Sequence, residues 1–445
     1  MGTIRSCLIG VLLAAAASGM AAAQGARVDY ADITGAIPPV PPKMVQRAPA
    51  WSGESGASGD PSMSAQAIRQ AAANFHQCLD SLWPEARRRH VSRAIFEHFT
   101  ASLTPDLRIM DLLDNQPEFT KAIWNYLDLL VTDERIAKGR ALLQKYRHVF
   151  DAEEHVYGVS RYIITAIWGV ESDYGTQGGD RSVLRSTATL ACIGRRQHYF
   201  RQEFLATLEI LQHRDIPPDR LVGSWAGAFG PTQFMPTAFL RYAVDFDHDG
   251  HRDVVDSVPD IVASTANNLK KDGWVSGKTW GYEVVVPANF DFMLADHHHK
   301  MTIRQWERYG IIRPHSKPFP RPGDRAFLLT PAGLQGPGFL MLRNFHVLMR
   351  YNPAEAYALA IGHLADRLAG GGPFVQKWPR YERVLSRDER FELQELLARR
   401  GYDIGEPDGW LGAKTRAAIR AFQARHGKVP DGFATVAVLN ALRGR

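Results

Sequence analysis

One stretch constrains the fold of this chain more than any other: Ser160–Gly175, SRYIITAIWGVESDYG. Val159, Ile163, Ile167 and Val170 recur at helical spacing, so the segment predicts an apolar helix that enters a core. Glu171 stands four residues after Ile167 and eight after Ile163, which puts its carboxylate on or beside the buried face. Gly175 is a natural helix stop, so Glu171 also falls in the last turn. Both circumstances penalise a negative charge, because burial removes water and the carbonyl end of a helix is partly negative. A carboxyl group held there is expected to have a raised pKa and to keep its proton until a reaction takes it. The competing reading is a structural Glu paired with Arg161 or Arg185.

The chain opens with MGTIRSCLIGVLLAAAASGMAAAQ. Arg5 is a short basic region, Cys7 to Ala17 an apolar run, and Ala21-Ala22-Ala23 a small-residue cleavage site. That pattern is a secretory signal peptide over residues 1–23, too short to span a membrane. Cys7 comes too early to be a lipid-attachment cysteine. The expectation is an exported, periplasmic, soluble protein with no membrane anchor. Removal of the peptide leaves Cys78 and Cys192, which the sequence allows as one bridge or as two buried thiols. The formal charge of +6 and pI of about 9.1 are spread along the chain. Such a balance is compatible with an acidic polymer. The export signal and the lack of a recognition motif exclude nucleic acid.

Residues 24–66, rich in Pro, Gly and Ser, predict a flexible leader without an apolar period. Amphipathic helical patterns start near Ala67 and continue through the Glu171 segment. From Gly281, GYEVVVP, RAFLLTP and GPGFLMLRNF predict a small sheet, and AEAYALAIGHLADRL returns to helix. Gly370-Gly371-Gly372-Pro373 closes a domain of residues 67–370 and opens a linker over 371–385. Residues 386–445 form a separate helical unit. The fold class is mainly α, with a small β element and a small three-helix C-terminal domain.

Three further constellations carry chemistry. GSWAGAFGPTQFMPTAFLRYA, Gly223 to Ala243, starts with small residues that admit another chain close to the backbone. It offers the Gln233 amide and an apolar wall at Phe234, Met235 and Pro236. The alternative is a glycine-rich loop that packs tightly. DFDHDGHRDVVD, Asp245 to Asp256, has Asp at loop positions one, three, five, nine and twelve and Gly250 at six, the spacing of an EF-hand calcium loop. Asp245, Asp247, Asp249, the His251 carbonyl and Asp256 are the candidate ligands, with Asp where such a loop usually ends in Glu. A single loop of this kind points to a structural clamp, and no organic cofactor is called for. The Asp296-His297-His298-His299 run reads as a solvated turn, since consecutive His cannot converge on one ion. RYNPAEAY, Arg350 to Tyr357, places Tyr351, Asn352 and Tyr357 where rings stack on sugars and an amide reads hydroxyls. Asn352 ahead of Pro353 also suits a helix start.

AIWGVESDYG, GSWAGAFGPTQFMP, the Asp245 loop and RYNPAEAY occur in the order found in B-type lytic murein transglycosylases, and the chain resembles that family from about Phe75 to Leu368. CLDSLWP, DNQPEFT and ASTANNLKKDGW add to the resemblance. It implies a lysozyme-like catalytic domain that cleaves the bond between N-acetylmuramic acid and N-acetylglucosamine without water, leaving a 1,6-anhydromuramyl end. It implies Glu171 as the single catalytic acid/base, with Ser224, Gln233, Tyr351, Asn352 and Tyr357 on substrate-binding positions; Phe234, from the apolar wall, is the remaining expected substrate contact. One carboxylate suffices when the nucleophile is the substrate's own C6 hydroxyl, already held by the sugar ring. Asp173 points away from Glu171 and reads as a capping or surface group. The last domain resembles a peptidoglycan-binding module through LQELLARRGYDIGEPDGWLGAKTRAAIRAFQARHG. From Arg380 onward, thirteen basic residues face nine acidic ones, which suits carboxylate-bearing stem peptides. As a tether, such a module concentrates glycan strands at the groove. Glycan strands and stem peptides are therefore the expected partners of a monomer, and protein partners are to be sought in the cell-wall machinery. The competing functions are a hydrolytic muramidase and a non-catalytic wall-binding scaffold.

Overall fold

The computed structural model describes residues 51–54, 60–113 and 121–444. The expected signal peptide, most of the expected leader and the DNQPEFT segment lie outside the described residues. Side-chain caps set many of the helix starts: Ser64, Ser92, Thr132, Ser182 and Ser257 each accept a backbone N–H from the first turn of the helix that follows.

The large domain is built around three main apolar nuclei. In the first, helices Phe75–Ser81 and Arg93–Thr100 pack against Val183–Cys192 and Gln197–His213. A Cys78–Cys192 disulfide closes this nucleus, so the bridged alternative is the one the fold adopts. The largest nucleus surrounds helix Arg161–Ser172 and draws apolar faces from Val258–Lys271, Arg343–Tyr351 and Glu355–Leu368. The third lies under the small sheet.

Strands β1 (Arg181–Ser182) and β2 (Val222–Gly223) form a short antiparallel pair. The main sheet has β3 (Gly281–Val284), β4 (Met301–Thr302), β5 (Arg325–Leu329) and β6 (Gly338–Met341) in the order β3-β6-β5-β4, all antiparallel. The three β-rich runs expected from the sequence are strands β3, β5 and β6.

Two sequence expectations are corrected. Residues 60–66 are not slack leader: Met63 is fully buried and the first long helix starts at Ala65. Ser52 also hydrogen-bonds the Asp111 carboxylate through its N–H at 3.0 Å and its hydroxyl at 2.6 Å.

The second correction concerns the end of the chain. Helices Arg387–Arg399, Ala413–Arg425 and Val436–Leu442 enclose Leu393, Leu397, Ile419, Phe422 and Leu439. Ser386 and Glu389 form a capping box at the start of this unit. It is docked rather than loosely tethered. The Asp431 carboxylate accepts the Leu334 N–H at 3.1 Å, and the Phe433 ring meets Trp124 with centroids 6.4 Å apart. The linker is pinned too, because Glu283 accepts the N–H groups of Val375 at 3.0 Å and Gln376 at 2.8 Å.

Candidate active site

The Glu171 helix runs Arg161–Ser172 and stops three residues before the expected glycine, Gly175. Asp173 and Tyr174 both take left-handed backbone, with φ of 47° and 61°, ahead of Gly175 at 89°. The Tyr174 ring folds back over the last turn, and a Cβ on Gly169 would sit 2.7 Å from it, so only glycine fits there. The Tyr174 hydroxyl then donates to the Arg135 carbonyl at 2.8 Å. Asp173 ends the helix through its backbone N–H, and its side chain pairs with Lys138 at 2.9 Å and Arg135 at 3.4 Å. These clasps hold the last turn, and with it Glu171, in one place.

Glu171 is 4% exposed. Neither suggested arginine is its partner: Arg161 pairs with Glu154 and Asp151, and Arg185 donates to the carbonyls of Thr104 and Pro105. Instead, the Tyr357 hydroxyl donates to Glu171 Oε1 at 2.6 Å. Burial, reinforced by the Glu171 charge, pushes the phenols of Tyr357 and Tyr351 well above their usual value, so both remain donors. The two rings are parallel within 2°, centroids 6.5 Å apart. Tyr351 donates in turn to the Thr232 carbonyl, next to Gln233.

The loop carrying Gln233 is clipped to the same helix, because the Ser172 hydroxyl donates to the Pro231 carbonyl at 2.6 Å. Phe229 and Phe234 exchange backbone hydrogen bonds at 2.9 and 2.8 Å and close the loop. Gln233, at φ 54°, gives its Nε2 hydrogens to the carbonyls of Gly178 at 3.1 Å and Gly230 at 2.9 Å. Its Oε1 remains as an acceptor. Asn352 Oδ1 accepts the Ala354 N–H at 3.1 Å, but Asn352 is not the expected helix cap: it ends helix Arg343–Tyr351, and the Tyr357 helix starts at Glu355 behind Ala354, with Pro353 outside it.

The structure therefore links Glu171, Gln233, Tyr351 and Tyr357 through a continuous chain of contacts, with Asn352 at its base. Two expected substrate contacts are built differently. Ser224 is buried and caps the loop, accepting the Ala228 N–H on its hydroxyl at 3.0 Å. The Phe234 side chain is buried in an apolar cluster with Val183, Ile210 and Phe239 rather than forming a wall. Gln233 sits in a turn at φ 54° while Phe234 pairs with Phe229, so the two side chains part ways, one to the Gly178 and Gly230 carbonyls and the other into the core. Sequence reasoning passed over Ser172, Thr232 and Tyr174 as positioning groups, although all three stand inside the quoted motifs.

In the acidic loop, carboxylate oxygens of Asp245, Asp247 and Asp249 lie within 4.8 Å of one another. Asp245 already accepts the N–H groups of Asp249 at 3.2 Å and Gly250 at 3.0 Å, so the turn has the curled form a cation needs. His251 is exposed and its N–H donates to Asp249 at 2.8 Å, which leaves its carbonyl as the donor at position seven. Asp256 is turned differently from expectation, toward Arg220, whose Nε lies 2.9 Å from Oδ2. The buried Asp260 was not anticipated: it ties the loop together by accepting Phe246 N–H at 2.6 Å and Asp253 N–H at 2.7 Å. The His run is also corrected in part. His298 and His299 form a turn on Asp296, but His297 stacks on Phe327 at 4.2 Å and meets Glu355 at 2.6 Å.

A buried carboxyl at the end of an apolar helix, fixed by a tyrosine and facing a tightly clipped loop, is the active centre of a lysozyme-like glycan-cleaving enzyme. Residues 74–366 match the Transglycosylase SLT domain and residues 386–442 a peptidoglycan binding domain; the chain belongs to the SLT transglycosylase family and is a lytic transglycosylase of peptidoglycan. It is 31% identical over 273 residues to membrane-bound lytic murein transglycosylase B of Escherichia coli K12, covering 59% of this chain and 74% of that protein. Its fold matches SltB3 of Pseudomonas aeruginosa in complex with NAG-NAM-pentapeptide at 43% identity and a TM-score of 0.80, over 83% of this chain and 99% of SltB3. It also matches the Escherichia coli lytic transglycosylase Slt35 in complex with calcium, at 29% identity and a TM-score of 0.56, over 66% of this chain and 92% of Slt35.

Proposed function

We propose that Glu171 performs both proton transfers of this reaction. As an acid it gives its proton to the oxygen that leaves from C1 of N-acetylmuramic acid, and the glycosidic bond breaks. As a carboxylate it takes the proton of the C6 hydroxyl while that oxygen bonds to C1. The products are a free 4-hydroxyl on N-acetylglucosamine and a 1,6-anhydro ring, with no water consumed. Tyr357 holds the carboxyl in both states, and the Gln233 Oε1 accepts from a substrate hydroxyl or N-acetyl N–H. The observation that carries this reading is the 2.6 Å Tyr357–Glu171 hydrogen bond inside an apolar core. The commitment of Asp173 to Arg135 and Lys138 supports a one-carboxylate mechanism over the two-carboxylate hydrolytic one.

The ancillary readings belong here as well. Residues 1–23 export the chain to the periplasm, and among the described residues no helix is long and apolar enough to cross a membrane. The Asp245, Asp247 and Asp249 carboxylates with the His251 carbonyl hold a structural Ca2+, a reading supported by their hard oxygen donors and preshaped turn. Glycan strands with pentapeptide stems, as in the SltB3 complex, are the substrate class. The chain acts as a monomer.

Mass spectrometry of muropeptides released from purified sacculi tests the mechanism. The expected result is 1,6-anhydromuramyl products from the wild type and none from Glu171→Gln. Reducing-end products, heavier by one water, overturn the non-hydrolytic step. Full activity in Glu171→Gln overturns the residue assignment.

A further inference from the structure

The helix that bears Tyr357 begins at Glu355, and Glu355 is gripped from outside the catalytic domain. Arg416, in helix Ala413–Arg425 of the C-terminal domain, donates from Nη2 to Glu355 Oε1 at 2.6 Å. His297, in the loop between β3 and β4, meets the same oxygen at 2.6 Å. Burial works against this carboxylate, but Arg416 and His297 outweigh it and hold its pKa at about 2, so it is ionised throughout the working range. The Arg416 and Glu355 side chains are only 15% and 17% exposed, a setting in which a charge-assisted bond resists exchange with water.

The position of this contact matters more than its strength. Glu355 lies two residues before Tyr357 in the first turn of one helix, and Asn352 fixes the backbone just ahead of it. Tyr357 is fully buried against Tyr351, so displacement of that turn moves the phenol relative to Glu171. Seating the C-terminal domain does not need this grip, since Asp431 on Leu334 and Phe433 on Trp124 already hold it.

We propose that Arg416, acting through Glu355, is a positioning residue for the Tyr357–Glu171 hydrogen bond, so that the wall-binding domain tunes the chemical step as well as holding the strand. This deepens the reading of Glu171 as the acid/base and rests on it. A misplacement of a fraction of an ångström at a reacting group is enough to lower a turnover number severalfold.

The test uses the full chain and a soluble (GlcNAc–MurNAc)2 fragment, with kcat and KM read from anhydro-product formation. Arg416→Ala is expected to lower kcat about fivefold to tenfold with KM unchanged within about twofold, and Arg416→Lys to recover at least half of the loss. Arg416→Ala combined with Glu355→Gln is expected to be no slower than the slower single variant. Asp431→Asn, which alters the Leu334 contact but leaves the Arg416 and Glu355 side chains in place, is expected to keep kcat. A kcat within twofold of wild type in Arg416→Ala overturns the proposal, and so does an equal loss in Asp431→Asn. If melting shows that Arg416→Ala has unfolded, the near-isosteric Glu355→Gln is read by the same criteria. Wild-type enzyme that yields no anhydro product refutes the proposed function instead.

Discussion

Replacement of Tyr357 by Phe removes a single oxygen from the centre of the site. The ring is fully buried and parallel to Tyr351, so Tyr357→Phe keeps the packing and deletes only the 2.6 Å hydrogen bond to Glu171 Oε1. A hydrogen bond to a charged partner contributes about 1.5–3 kcal/mol, and its loss inside a core leaves the acceptor without water as a substitute. If that bond is needed at the transition state, kcat falls by about 10- to 150-fold at 1.36 kcal/mol per decade. KM is expected to change little, because the phenol is buried and spends its hydroxyl on the Glu171 carboxyl. The assay is steady-state release of anhydro product from a soluble glycan fragment, with thermal melting of the same preparation. A kcat within twofold of wild type, in a variant that melts normally, refutes the claim that Tyr357 positions the acid/base.

Other outcomes follow from the fold. Glu153 is fully buried, neither carboxyl oxygen has a hydrogen-bond partner among the described residues, and burial, with the neighbouring Glu154 charge, pushes its pKa up to about 9. The unfolded chain ionises this group near its ordinary value of 4.5, so the native state is least penalised below that pH and loses stability as pH rises toward 9. Glu153→Gln is therefore expected to gain about 3 kcal/mol over wild type at pH 7 and almost nothing at pH 4.5, measured by denaturant unfolding; a gain independent of pH contradicts the neutral buried acid. Excess chelator is expected to lower the melting temperature more than low-temperature turnover, since an ion at a hundredfold over its Kd stabilises by about 3 kcal/mol; an unchanged melting temperature removes calcium from the loop. Cys78→Ser opens a link across 114 residues and is expected to cost about 4–5 kcal/mol of stability under oxidising conditions, with no effect once wild type is reduced; equal stability of the two oxidised proteins contradicts a structural role for the bridge.

Local patterns carried most of the site. The period of Ile163, Ile167 and Val170 makes a helix that must bury one face, and burial of Glu171 follows from its place on that face. The Asp spacing from Asp245 to Asp249 curls its loop because each carboxylate bonds backbone N–H groups a few residues ahead. The three apolar runs after Gly281 form strands for the same kind of reason, an apolar segment between turn residues. What defines these features lies within a dozen residues of chain, and a sequence displays such relations directly.

Contacts between distant segments were settled only by the tertiary structure. Glu171 and Tyr357 are 186 residues apart, and nothing in either motif says that one donates to the other rather than to an arginine nearby. The choice between bridged and free cysteines depended on two helices from opposite ends of one nucleus meeting at Cys78 and Cys192. Phe234 and Ser224 carry the right side chains for a groove, yet backbone direction turns one into the core and the other onto its own loop. Arg416 looks like surface charge in sequence and reaches Glu355 only when the last domain docks, and His297 reaches it only because the loop between β3 and β4 packs beside that helix. A side chain's type sets what it can bind, whereas its partner is decided by which segments the collapsed core brings within hydrogen-bonding distance.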